Sequence, residues 1–206
     1  MNTTEHWQHI YQTRSTQAVS WYAPQLTDSL RWVTRLCPQL SARIVDVGAG
    51  AGTLVDDLLA RGYTQLTAMD LSAAALQHSQ QRLGQASANV HWLVADATQA
   101  PLAAQAYDLW HDRAVFHFLT QADQQQAYVV ACARALRPGG HAVLATFGPQ
   151  GAQRCSGLPV QRYNAAQLAH AMGPGFALIG SELTMHHTPS GAEQQFLYAA
   201  FERQAD

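Results

Sequence analysis

The chain contains no lysine. All of its basic residues are arginines, dispersed without clusters, and against the Asp and Glu residues they leave a formal charge of −2. Nucleic-acid partners are held by stripes of positive charge that neutralise phosphates, so RNA and DNA substrates are disfavoured. Long apolar runs are also missing, and none approaches the roughly 20 residues that a membrane-crossing helix needs. The first residues, Met1-Asn2-Thr3-Thr4-Glu5-His6, are polar, with no basic region ahead of an apolar run, which predicts a cytoplasmic protein without a leader. Cysteine is scarce. Cys37, Cys132 and Cys155 are odd in number and widely spaced, a pattern that suits a reducing compartment and argues against a disulfide framework.

What is present is ample material for one core: 48% of the 206 residues are hydrophobic, and a chain of this length is read as one domain, residues 1–206. Its organising stretch is Arg43-Ile44-Val45-Asp46-Val47-Gly48-Ala49-Gly50-Ala51-Gly52-Thr53-Leu54, an apolar run that halts at alternating glycines and resumes with helical spacing. This reads as strand, tight turn and helix, with glycines that let the backbone approach a ligand closely. The dinucleotide pattern G-x-G-x-x-G fails because Thr53 occupies its third glycine. The phosphate-loop pattern fails too, since no Lys-Ser or Lys-Thr follows. Two more strand-like runs each close at an acid: Leu66 to Asp70, and Val90 to Ala95 with Asp96 after it.

Val45 to Gly52, with Asp70 about twenty residues on and Asp96 beyond, resembles the donor-binding motifs of class I S-adenosylmethionine-dependent methyltransferases. Leu136-Arg137-Pro138-Gly139-Gly140 resembles the punctuation of the same family ahead of its fifth strand. The resemblance covers nearly all of the chain from Ile44 onward. It implies S-adenosyl-L-methionine as cofactor, with S-adenosyl-L-homocysteine as product. Gly48, Ala49 and Gly50 would line the amino-acid portion, Asp70 would hold the ribose hydroxyls, and Leu71 would pack on adenine. Asp96 and Ala97 would face the adenine amino group, and Arg113 would join the cofactor site. Asp46 would reach the donor's amino group, directly or through water, or else brace the turn.

Periodicity supplies the rest of the frame. Helices are expected over Glu5 to Thr13, Thr27 to Leu36, the segment from Leu54 to Arg61-Gly62, Ala73 to Leu83 with Ser72 as N-cap, Gln121 to Leu136, and Ala165 to Met172. Strands are expected at Tyr107 to Asp112, His141 to Phe147, Phe176 to Leu183 and Gln194 to Phe201. Alternating strands and helices predict an α/β fold: a Rossmann-like, doubly wound, seven-stranded and mostly parallel sheet with helices on both faces and an antiparallel C-terminal hairpin.

Methyl transfer from a sulfonium depends chiefly on holding acceptor and methyl at attack distance, and a general base matters when the nucleophile carries a proton at neutral pH. Candidate bases just past strand four are Asp112 and His117, with His111 beside them. His111 and Asp112 point to opposite faces if both lie in the strand, so only one can face the pocket. Five aromatics, Trp7, Tyr11, Trp21, Tyr22 and Trp32, precede the first strand. Trp7 and Trp32 are read as packing, and Trp21 and Tyr22, in a segment ending at Pro24, as a lid. Residues 1–40 would form this lid segment, and Tyr11, Trp21, Tyr22, Cys155 and Arg162 the substrate pocket. Adjacent His186 and His187 diverge on an extended segment and no second cysteine pairs with Cys155, so no metal is expected.

The expected activity is methyl transfer to a small-molecule acceptor such as a thiol or another soft nucleophile, by a monomer or weak dimer. Two alternatives remain open. One is a protein lysine methyltransferase acting on a translation factor or another protein; Asp112-Arg113-Ala114 stands where a group that modifies translation factors has Asp-Lys-Gly. The other is a non-catalytic donor-binding protein.

Overall fold

A computed structural model describes residues 3–205. Two helices come first, α1 (Thr3–Thr13) and α2 (Thr27–Leu36). Then follow β1 (Arg43–Val47), α3 (Leu54–Ala60), β2 (Gln65–Asp70), α4 (Ala73–Leu83), β3 (Val90–Val94), β4 (Tyr107–Arg113), α5 (Ala122–Ala135) and β5 (Leu136–Phe147). The C-terminal part comprises a two-strand ribbon, β6 (Arg154–Cys155) and β7 (Leu158–Pro159), then α6 (Ala165–Met172), β8 (Phe176–His187) and β9 (Glu193–Arg203). Among the described residues no helix is long and apolar enough to cross a membrane.

The main sheet has seven strands in the order β3-β2-β1-β4-β5-β9-β8. Neighbours from β3 to β5 are parallel, whereas β9 runs antiparallel to β5 and β8 antiparallel to β9. Strand order reverses between β1 and β4, which opens a crevice at their carboxyl ends where ligands bind in such sheets. Both faces are covered. Ile44, Leu54, Leu58, Leu109 and Val33 fill one core layer, and Val45, Trp110, Tyr128, Leu136 and Leu168 fill the other.

Local chemistry ends the helices where periodicity predicts. The Ser72 hydroxyl accepts from the Ala75 amide, Asn164 and Gln167 form a reciprocal capping box, and α4 ends at Gly84 with φ +55°. At the opposite end of the sheet Asp108 accepts from Arg43 at the start of β1 and from Arg137 at the start of β5, pinning three strands together. The two guanidiniums hold the Asp108 carboxyl well below the usual carboxylate range against its partial burial.

One expectation changes. Arg137 to Gly140 is not a separate turn before the fifth strand but the bulged beginning of β5, since pairing jumps from Tyr107↔Leu136 to Leu109↔His141. A bulge absorbs extra residues on one strand without ending the ladder. The connection from Gly148 to Pro159 holds the β6–β7 ribbon.

Candidate active site

A cavity lies over the carboxyl ends of β1, β2, β3 and β4, roofed by α1 and by the segment from Thr16 to Leu26. The glycine turn forms one wall. Its glycines are required by the protein itself: a Cβ on Gly48, at φ +63°, would stand 2.0 Å from Val115 Cγ2, and one on Gly50, at φ +56°, 2.5 Å from the Tyr11 hydroxyl. This corrects the reading of Gly50 as a residue lining the donor site. Gly50 lies inside the turn, its amide donating to Asp70 Oδ2 at 2.9 Å.

Asp70 is the hub of that wall. Its second oxygen accepts from the Ser72 amide at 2.8 Å, so one carboxylate ties the glycine turn to the start of α4. Burial pushes its pKa up to about 6 in spite of these two amide bonds. Each carboxylate oxygen keeps a further lone pair for a ligand, and Asp70 lines the cavity together with Leu71, Asp96 and Ala97. Asp96 is exposed, and its Oδ1 accepts from the Thr98 amide and hydroxyl at 2.8 and 2.7 Å.

The next wall is built across strands. Asp46 on β1 and His111 on β4 are register partners on adjacent parallel strands, so their side chains share a face. Asp46 Oδ1 and His111 Nδ1 lie 2.7 Å apart. His111 is only 1% exposed, lines the cavity, and its Nε2 has no hydrogen-bond partner among the described residues.

The strand alternation that brings His111 to the cavity sends Asp112 to the opposite side, which corrects its reading as a base. The Asp112 carboxylate accepts from the Val115 and Phe116 amides and from the Tyr128 hydroxyl at 2.6 Å, deep in the layer covered by α5. His117 is corrected as well. It is fully buried away from the cavity lining, its Nδ1 accepts from the Phe147 amide, and its ring packs against Phe118 and Phe147. Burial and the charge of Arg113 lower its pKa to about 3, which keeps it neutral.

The roof is aromatic. Trp21 donates to the Tyr11 hydroxyl at 3.3 Å, and its ring meets Trp7 edge to face at a centroid separation of 5.6 Å. Trp7 in turn meets Phe118 at 5.1 Å, and all four line the cavity with Tyr22. Trp7 therefore belongs to the cavity wall and not to packing alone, whereas Trp32 is buried in the core as expected. The roof is tied down from below. Arg113 Nη1 donates to the Trp21 carbonyl at 3.0 Å with its guanidinium over the Phe196 ring, and His186 Nε2 meets the Ser20 carbonyl at 2.8 Å. Cys155 reaches the cavity from the β6–β7 ribbon, and burial raises its thiol to about 11, so it is protonated at neutral pH. Arg162 is not part of this wall: it reaches only toward the Gly151 carbonyl at 3.4 Å, which corrects its assignment to the substrate pocket.

Comparison with known proteins agrees with this geometry. The model of a methyltransferase domain family matches residues 44–140. The chain is 34% identical over 113 residues, 52% of its length, to a malonyl-[acyl-carrier protein] O-methyltransferase of Paenibacillus sp. (strain JDR-2), of which the match covers 39%. Residues 44–140 form a class I S-adenosylmethionine-dependent methyltransferase domain.

A ubiquinone biosynthesis O-methyltransferase of Albidiferax ferrireducens is 30% identical over 119 residues, covering 57% of this chain and 46% of that protein. The chain thus spans less than half the length of these two curated relatives. The whole sheet, C-terminal hairpin included, recurs in the N-methyltransferase NodS from Bradyrhizobium japonicum WM9, solved with S-adenosyl-L-homocysteine. There the TM-score is 0.76 at 16% identity, covering 99% of this chain and 100% of that one.

The residues present suit the family's methyl donor. An acid with lone pairs to spare ends β2, and apolar Leu71 and Ala97 line the same cavity with the carboxylate of Asp96. The orphaned, buried His111 Nε2 is a polar atom that only a bound molecule or solvent can satisfy.

Proposed function

We propose that this chain transfers a methyl group from S-adenosylmethionine to a small-molecule acceptor that lies beneath the aromatic roof. The observation that carries the reading is this roof: Trp7, Tyr11, Trp21, Tyr22 and Phe118 enclose the space over the glycine turn. They are braced from α4, where His78 Nε2 meets the Tyr11 carbonyl and Ser72 donates to Gln8. An aromatic wall held at this many points suits a compact, largely uncharged guest better than a protein chain.

The donor supplies an activated methyl group when bound. In this reading Asp70 accepts hydrogen bonds from the ribose hydroxyls, Leu71 and Ala97 pack against adenine, and Asp96 accepts from its amino group. Gly48 and Ala49 lie along the amino-acid portion. The roof excludes water and holds the acceptor close, which is the main contribution a protein can make to an in-line displacement.

Incubation of the purified chain with methyl-labelled donor tests the reading, using a panel of small thiols and phenols in parallel with a cell protein extract. Label in a small molecule is the expected result. Label confined to protein overturns it in favour of a protein methyltransferase, and donor binding without transfer to either favours a non-catalytic binder.

A further inference from the structure

We infer that the Asp46–His111 pair is a proton-accepting device, and that the acceptor atom is one that carries a proton when it binds. This rests on the reading of the cavity as a methyl-transfer site. His111 is 1% exposed, yet one of its two ring nitrogens is unpartnered and the ring lines the cavity. The other nitrogen is held 2.7 Å from a carboxylate oxygen that is itself nearly buried.

A carboxylate beside Nδ1 requires the proton to sit on Nδ1, because an ionised carboxylate can only accept. The lone pair is thereby left on Nε2, in a ring that lines the cavity. Leaving a buried nitrogen bare costs about 1 to 3 kcal/mol; Nε2 of His117 is bare as well, and what sets His111 apart is that its ring lines the cavity while its Nδ1 is held by a carboxylate. Such a cost is characteristic of groups kept for a ligand.

The chemistry balances. The acceptor's hydroxyl or thiol proton passes to Nε2, and the electron pair it leaves behind forms the new bond to the methyl carbon. The carbon–sulfur pair stays on sulfur, which changes from sulfonium to neutral thioether. The imidazolium that results has both ring N–H groups, one donating to Asp46, and returns its extra proton to water when product leaves. His111 is then a catalytic residue and Asp46 a positioning residue. An acceptor that arrives already ionised, such as a carboxylate, has no use for this base and would stand against the carboxylate charge of Asp46. Phenols, alcohols and thiols are the classes that suit it.

The test is nitrogen NMR of histidine in the wild-type chain with S-adenosylhomocysteine bound, with thiophenol, catechol and benzoate added in turn. The expected result is a protonated Nδ1 and a bare Nε2 at His111, with the Nε2 resonance moved by thiophenol or catechol and not by benzoate. Asp46→Asn is expected to shift the tautomer, since an amide can donate to Nδ1. Turnover of the protic probe is expected to fall roughly 100-fold or more in His111→Gln, chiefly in kcat. A proton on Nε2 in the wild type, or a bare Nε2 that neither protic probe perturbs, overturns the proposal. Failure of S-adenosylhomocysteine to bind the wild type overturns the donor reading beneath it instead, so the two failures are distinguishable.

Discussion

Asp70 gives the most demanding prediction, because one carboxylate is asked to brace a turn and hold a ligand. Both oxygens already accept backbone amides, and burial holds the pKa at about 6 instead of the ordinary 3.8. A ribose diol donating to it favours the ionised form, so ligand binding must lower this pKa. The sign follows. Above about pH 6 the group is already ionised and affinity is flat, whereas below it each pH unit charges binding with one protonation equilibrium. Affinity for S-adenosylhomocysteine is therefore expected to fall about tenfold, or ~1.4 kcal/mol, between the plateau at pH 7.5 and pH 5. In Asp70→Asn one charge-assisted bond of roughly 1.5 to 3 kcal/mol is lost, which weakens binding about 10- to 150-fold at pH 7.5, and the acid dependence flattens. Calorimetry from pH 5 to pH 8 at constant ionic strength reads both effects. Wild-type affinity that stays level to pH 5, or an Asn variant with undiminished affinity, refutes the assignment.

Three further outcomes are expected. Trp21→Ala removes ring contacts with Trp7 and Tyr11 worth roughly 0.5 to 1.5 kcal/mol each, so ligand-free melting should drop modestly while the extra stabilisation by S-adenosylhomocysteine shrinks; an unchanged ligand increment would show the roof to be scaffold alone. Gly48→Ala sets a Cβ against Val115 Cγ2 at positive φ and should cost more than ~1 kcal/mol, part of which Val115→Ala restores; no recovery in the melting temperature of the double variant would contradict this source of strain. His117, pushed down to about pKa 3, favours the folded state fully above pH 6.5 and withdraws that stability as pH falls toward 3. His117→Asn should therefore show a shallower loss of stability from pH 6.5 to 4 in urea unfolding, with methyl transfer retained, and equal slopes in the two proteins would count against it.

Much of the fold was legible because its signals are local. Three strands that end in acids, glycines at the strand-to-helix turn, Ser72 ahead of α4 and the spacing of α6 depend on neighbours in sequence, and α2 and α6 fall where periodicity puts them. The phase of β4 was not legible. It is buried on both faces, so Leu109 and Trp110 are equally apolar and alternation does not reveal which of His111 and Asp112 meets the cavity. That is set by register against β1, where Asp46 stands opposite His111. An acid in β1 and a histidine near the end of β4 were the available signal for the pair. Trp7 and Gly50 were misread for a similar reason: what each touches, Phe118 in one case and Tyr11 in the other, comes from a distant or separate element. Arg162 follows the cavity residue Cys155 in the same connection, yet its side chain turns to the Gly151 carbonyl.

Calorimetric titration of the purified chain at pH 7.5 with S-adenosylmethionine, S-adenosylhomocysteine and NAD bears most directly on the central claim. Saturable one-site binding of the first two and none of the third is the predicted result. Binding of NAD, or no heat with either sulfur nucleoside from a folded sample, would contradict it.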